Sequence, residues 1–210
     1  PNNYALSKGV LISLIKRYCD QPLYLQACDE IFQRQLTEGI IEEVPNASQD
    51  IRTHYLPFHL VLQPEKSTKI RIVYNGSAKS SKSNLSLNDC LYKGSNLLTE
   101  IPQLIIRFRT HKIALVADIK TAYHTLSIQE QERNFLRFLW IRNYSAPIEQ
   151  QKVTTYRFAR VPFRIVTASF LLSATLHYHL KNHPSGIGQH ILSDLYVDNV
   201  VTGVESIATA

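Results

Sequence analysis

The sequence predicts a mixed α/β protein of the α+β kind, and three observations carry that prediction. Apolar residues recur at helical spacing near the N-terminus, and two strand-like runs separated by turn residues follow. Later an uninterrupted apolar run, IALVAD, ends on an acid at Asp118. With 210 residues, 44% of them hydrophobic, the chain has enough apolar material for one domain or two closely packed subdomains, which excludes a disordered chain.

The elements follow in order. Leu11, Leu14, Ile15 and Tyr18 fall on one face of a helix over 8–18, and a second helix over 23–38 closes at Gly39, a residue suited to the left-handed position after a helix. IIEEVP and the polar stretch NASQDIRT lead to two strands, HYLPFHLVLQP and KIRIVYN, joined by the turn-like PEKST as a basic hairpin. SAKSSKSNLSLND reads as a loop, and helix resumes over 97–110. IALVADI has the pattern of a strand buried on both faces that delivers a carboxylate at its end. FLRFLWI and TTYRFARVPF are further strands, and Thr167 is placed to cap a helix over 168–181 that stops before His183 and Pro184. LYV and VVTG form a hairpin around a two-residue turn, Asp198-Asn199, which asparagine suits.

Charge and cysteine content narrow the function classes. Twenty-three basic against 17 acidic residues leave a net charge of +6, a balance that favours polyanionic partners such as nucleic acid. Cys19, Cys28 and Cys90 are odd in number and lack CxxC spacing, which argues against a disulfide framework or a zinc site and for a reducing, intracellular setting. No apolar run approaches the roughly 20 residues of a spanning helix, so a soluble protein without a membrane partner is expected. The chain has no methionine and is expected to be a piece of a longer protein. His177, His179 and His183 invite a metal reading because 179 and 183 have the spacing of one helical face, but no fourth ligand is suggested nearby and helical histidines usually face solvent, so that reading is disfavoured.

ADIKTAYHTLSI and, some eighty residues later, LYVDNVVTG resemble the two carboxylate boxes of retroelement reverse transcriptases. HYLPFHLVLQPEKSTKIRIVYNGSAK, LSLNDCLYKG, IIRFRTHKIALVADI and YRFARVPF resemble, in the same order, stretches of BEL/Pao-type LTR retrotransposon polymerases, from roughly residue 20 to the end. The resemblance implies a right-hand polymerase fold with an antiparallel palm sheet backed by helices and no thumb. Residues 1–50 would be a helical lead-in to the fingers, and 51–112 the fingers and start of the palm. Residues 113–210 would be the palm with both boxes, with part of the fingers, about 128–160, interleaved.

The implied activity is RNA- and DNA-directed DNA synthesis with two Mg²⁺ ions, or Mn²⁺, because two-metal transfer needs carboxylates on rigid elements. Asp118 and Asp198 would be the principal metal ligands, with the main-chain carbonyl of Ile119, and position 199 would complete the catalytic acids. Tyr123 would stack beneath the incoming sugar, although a core tyrosine is the plainer reading of its pattern. Lys66, Lys69 and Arg71 would reach the triphosphate, and Phe163 and Arg164 stand in the box that packs against the nascent base pair. Lys79, Lys82, Arg107, Arg109 and Lys112 could track the phosphate backbones of a primer-template. Implied partners are an RNA or DNA template with its primer, deoxynucleoside triphosphates and the rest of a pol polyprotein, including thumb, RNase H and integrase. The implied location is the cytoplasm or a virus-like particle within it.

Four positions depart from the family pattern. Asn199 replaces a second aspartate and removes one negative charge, Arg164 replaces a glycine that admits close approach of the template or nucleotide, Ser169 replaces a proline, and Asn75 replaces an aspartate. These departures set an impaired polymerase against a second hypothesis, a non-catalytic domain that retains a nucleic-acid cleft. A metal nuclease using the same aspartates is a remote third.

Overall fold

The computed structural model describes residues 2–44, 52–63, 70–144, 146, 152–182 and 186–209. In chain order the elements are α1 (Tyr4–Tyr18), α2 (Pro22–Thr37), β1 (Ile41–Glu43), β2 (Phe58–Leu62), β3 (Ile70–Tyr74), α3 (Leu87–Cys90), α4 (Ile101–Phe108), β4 (Ile113–Asp118), β5 (Arg137–Ile141), β6 (Val153–Phe158), α5 (Ala168–Asn182), α6 (Gly186–Asp194), β7 (Leu195–Tyr196) and β8 (Asn199–Val204). Short 3₁₀ turns over Ala122–Thr125 and Glu130–Leu136 link β4 to β5. The mixed α/β fold is therefore as expected, and the sheet pairings are antiparallel. The described helices include none long and apolar enough to cross a membrane.

The chain forms two compact units: Pro1–Leu91 with Ser127–Val166, and Tyr92–Leu126 with Thr167–Ala210. In the first, α1 buries Leu11, Leu14, Ile15 and Tyr18, the stripe that its periodicity predicts, and also Ser7, in a turn that precedes the predicted start. Helix α2 starts at a proline, whose missing N–H costs nothing there. It ends in a Schellman motif: Gly39, at φ 65°, donates to the Leu36 carbonyl and Ile40 to that of Gln35. The expected basic hairpin is β2–β3, with Phe58 opposite Tyr74 and Val61 opposite Arg71. The linking residues Lys66 and Lys69, two of the candidate nucleotide contacts, lie outside the described residues.

Strands β1, β6 and β5 form a three-stranded sheet in that order. All five residues of β5 are buried, and Leu56 donates to the Arg137 carbonyl at 2.7 Å, so residues 54–56 cover its outer edge. The core is aromatic. Phe138 meets Phe32, Tyr74 and Phe158 with ring centroids 5.1, 5.3 and 5.4 Å apart. The Trp140 indole, also in this core, donates to Asp29 Oδ1 at 2.8 Å, which satisfies its one polar atom.

The second unit is a three-stranded sheet in the order β4-β8-β7, with α4 and α6 packed on β8 and α5 beside α6. Two sequence expectations are corrected here. Strand β4 is not buried on both faces: Ala114, Val116 and Ala117 are exposed, Val116 at 66%. An apolar run cannot distinguish a doubly covered strand from one covered on a single face. The hairpin turn is also displaced by one residue. Tyr196 pairs with Asn199, so Val197 and Asp198 form the turn and Asn199 begins β8.

Three smaller differences concern helices. The SAKSSKSNLSLND loop ends in the short α3, whose Ser86 and Asp89 form a reciprocal capping box. Helix α4 covers Ile101–Phe108, shorter at both ends than the predicted 97–110. Helix α6 has no counterpart in the sequence reading, because GIGQHILSD carries two glycines, which weaken its helical preference.

Candidate functional site

The register between β4 and β8 builds the site. Ile113 pairs with Val204, and each following residue pairs in step until Asp118 faces Asn199. Beyond the last pair, the Ile119 amide donates to the Asp198 carbonyl at 2.9 Å. Two boxes far apart in sequence thus meet at one end of one sheet, with Asp118, Ile119, Asp198 and Asn199 as neighbours. Asp118 is exposed and Asp198 half-buried, so solvent reaches both carboxylates. The Asn199 amide nitrogen donates to Asp198 Oδ1 at 3.0 Å. A carboxylate at 199 could not make that bond and would repel its neighbour, so the asparagine steadies Asp198 while lowering the local negative charge.

Backbone strain marks the same motifs. Among the described residues, three non-glycine residues have positive φ: Thr121 at 52°, Arg164 at 72° and Val197 at 58°. Thr121 lies in the first carboxylate box, Val197 immediately precedes Asp198, and Arg164 is the anomalous residue of VPFR. Thr121 and Val197 are β-branched, for which this region is most costly, on the order of 1–3 kcal/mol each. Such strain concentrates where function fixes the backbone.

Tyr123 follows Thr121 in a 3₁₀ turn and is 7% exposed, its hydroxyl 3.4 Å from Ser169 Oγ on α5. Ser169, the residue in place of the expected proline, thus has a polar neighbour.

In the first unit, Arg71 is exposed on β3 and Phe163 is 41% exposed. Arg164, at φ 72°, has the left-handed backbone that would suit the glycine expected there, and the residue is exposed. Asn88, which the sequence reading did not single out, holds this segment. Its amide oxygen accepts from the Val166 N–H at 3.0 Å, and its amide nitrogen donates to the Arg164 carbonyl at 3.3 Å and to Ser77 Oγ at 2.9 Å. Its own N–H donates to the Gly76 carbonyl at 2.9 Å. The only sequence signal was its place in LSLND, one residue before the capping-box Asp89. Asn75 accepts from the Ser77 amide at 3.0 Å, a bond that the expected aspartate could also make.

The candidate nucleic-acid contacts are distributed unevenly. Lys79 pairs with Asp89 at 2.8 Å, and this bond, followed by those to Ser86, holds the Asp89 carboxyl down at about 2. Lys82 and Arg109 are exposed. Lys112 lies 3.7 Å from Glu205. Arg107 is engaged within its own unit, with Nε donating to Asp194 Oδ1 at 3.2 Å and Nη2 to the Ser193 carbonyl. Lys79, Lys82, Arg71, Phe163 and Arg164 belong to the first unit, and the remaining described candidates to the second.

The architecture defines a class: the chain has a reverse-transcriptase-like fold. It is similar to a foamy viral protease-reverse transcriptase solved with an RNA/DNA hybrid, with a TM-score of 0.61 at 14% identity over 88% of this chain. A second structure, the foamy viral protease-reverse transcriptase dRH with double-stranded DNA, matches with a TM-score of 0.56 at 16% identity, again over 88%. The chain spans only 20% and 26% of those two proteins. No family model matches the sequence, and no curated protein matches it.

Divalent cations are what the resemblance of the two carboxylate boxes implies, and the donors at the β4–β8 end can be compared with what such ions require. Among the described residues no cluster of three or more His, Cys, Asp or Glu is arranged to hold a metal. Two accessible carboxylates and a main-chain carbonyl nevertheless fit magnesium, which commonly takes one or two carboxylates and completes its shell with water and substrate phosphates. The donor set is therefore adequate, though one acid poorer than a triad.

Proposed function

We propose that this chain is the fingers and palm of a reverse transcriptase from a BEL/Pao-type LTR retrotransposon, an RNA- and DNA-directed DNA polymerase acting by two-metal nucleotidyl transfer. The observation that carries the reading is the β4–β8 register, which joins the two carboxylate boxes at one sheet end. The similarity to foamy viral enzymes solved on nucleic acid supports it.

In this reading the first unit is mainly fingers and the second is palm. Asp118, Asp198 and the Ile119 carbonyl would hold two Mg²⁺ ions, which when bound acidify the primer 3′ hydroxyl and neutralise the phosphates. Asn199 fixes the Asp198 carboxylate. Tyr123, two residues after the strained Thr121, would supply the floor for the incoming sugar, which requires its buried ring to become accessible there. Arg71, with Lys66 and Lys69, binds the triphosphate through charge-assisted hydrogen bonds, and Phe163 packs on the nascent base pair. Exposed Lys82 and Arg109 contact phosphates, with Lys79 and Lys112 joining if they leave their acidic partners. The partners are a primer-template, deoxynucleoside triphosphates and the remaining pol polyprotein, in the cytoplasm or in virus-like particles.

The test is primer extension by the chain rejoined to a thumb. Extension that is abolished by Asp118→Asn or Asp198→Asn supports the polymerase. Arg164 gives a second reading its footing, because a long side chain stands where the fold keeps glycine geometry. Tight primer-template binding without extension, even after Arg164→Gly and Asn199→Asp, would favour a non-catalytic binding domain.

A further inference from the structure

The tip that carries Asp198 is weakly secured by its own hairpin. Strand β7 has two residues, and Val197 at the turn is held at φ 58°. Something outside the hairpin must oppose that strain. Asp194 ends α6 directly before β7 and is 6% exposed. Its Oδ2 accepts from Thr202 Oγ1 of β8 at 2.6 Å, and its Oδ1 from Arg107 Nε of α4 at 3.2 Å and from Ser193 Oγ at 3.3 Å. The same guanidinium donates to the Ser193 carbonyl. One buried carboxylate thereby ties together the start of β7, the middle of β8 and α4, all within the second unit. Thr202 in turn faces Leu115 on β4, the strand that ends at Asp118.

We propose that Asp194 is a positioning residue: through Thr202 and Arg107 it fixes both limbs of the hairpin, and so sets where Asp198 stands relative to Asp118. The proposal deepens the metal-site reading above and rests on it. It also reassigns Arg107, whose charge neutralises a buried acid instead of meeting a nucleic-acid phosphate. Asp194, whose side chain is only 9% exposed, would be strongly unfavourable without its cation, whereas Arg107, 41% exposed, is open to water; the acid is the member that needs the network.

The test uses the whole chain and three measurements on each folded variant: amide hydrogen exchange, Mn²⁺ binding by titration of the free-ion paramagnetic signal, and primer-template binding against salt. Asp194→Asn and Thr202→Val are expected to speed exchange at the Ile119 amide, which bonds to Asp198. They should also weaken Mn²⁺ binding, although neither residue bonds directly to a proposed ligand. Thr202→Ser, which keeps the hydroxyl, should restore both. Arg107→Gln, which removes the charge, should alter exchange and Mn²⁺ binding but leave the salt dependence of primer-template binding unchanged.

Unchanged exchange at Ile119 in Asp194→Asn overturns the proposal, as does an Arg107 variant that lowers the salt slope by about one while leaving Mn²⁺ binding intact. If exchange rises in the variants but wild-type Mn²⁺ binding is indifferent to Asp118→Asn, the hairpin clamp stands and the metal-site reading fails.

Discussion

Asp118 and Asn199 are direct cross-strand partners at the end of β4 and β8, one step from the bond that the Ile119 amide makes to the Asp198 carbonyl. That adjacency makes the charge at position 199 consequential. Asn199→Asp would set a like charge opposite Asp118 and remove the amide donor from Asp198, destabilising the metal-free chain by about 0.5–1 kcal/mol. The variant should melt lower than wild type without metal and recover more when Mg²⁺ is added. Thermal melts with and without the ion check this, and equal melting in both conditions would contradict it.

Arg164 occupies glycine backbone geometry, so Arg164→Gly relieves strain instead of creating it. The expected gain is about 1 kcal/mol, read as a higher urea midpoint with unchanged slope. Asn88→Ala, which removes the amide holding Arg164 and Val166, should cost about 2 kcal/mol in the same experiment.

The hydroxyl of Tyr74 is buried without a hydrogen-bond partner among the described residues, and burial pushes its ionisation well above the ordinary tyrosine value. Tyr74→Phe deletes an unsatisfied polar atom and keeps the ring that packs on Phe138 and Phe158. Stability should stay level or rise by up to about 1 kcal/mol, whereas Phe138→Ala at the same cluster should cost about 3–5 kcal/mol.

Acid should act through His54 before it acts through Asp89. Burial holds the His54 ring below its ordinary value, so the unfolded chain takes up that proton first. The stabilising contribution is complete above about pH 6.5 and declines as pH falls from there towards the lower folded value. His54→Gln should flatten that part of the stability profile. Asp89, held at about 2 chiefly by Lys79, contributes above the ordinary carboxylate range and loses its contribution only in stronger acid. Lys79→Ala should move the Asp89 titration, followed by NMR, upward.

Much of this architecture was legible because local signals agreed with tertiary packing. The α1 stripe, the Gly39 stop, the β2–β3 hairpin and the start of α5 each combine periodicity with a terminator. Where packing overrode local preference, sequence reasoning slipped. Asparagine favours a left-handed turn, yet Val197 takes that conformation, because the shift by one residue brings Asn199 into register with Asp118. The exposed face of β4 was hidden because apolar content alone does not state what covers a strand. Asn88 and Asp194 act through contacts distant in sequence, to residues 164–166 and to Arg107, which no local pattern records.

The most direct measurement is Mn²⁺ binding to the chain with primer-template, comparing wild type, Asp118→Asn, Asp198→Asn and the double variant. If the two acids form one site, each single substitution should weaken binding at least tenfold, and the double should be little worse than either. Independent, additive losses, or full binding by Asp198→Asn, would contradict a shared site at the end of β4 and β8.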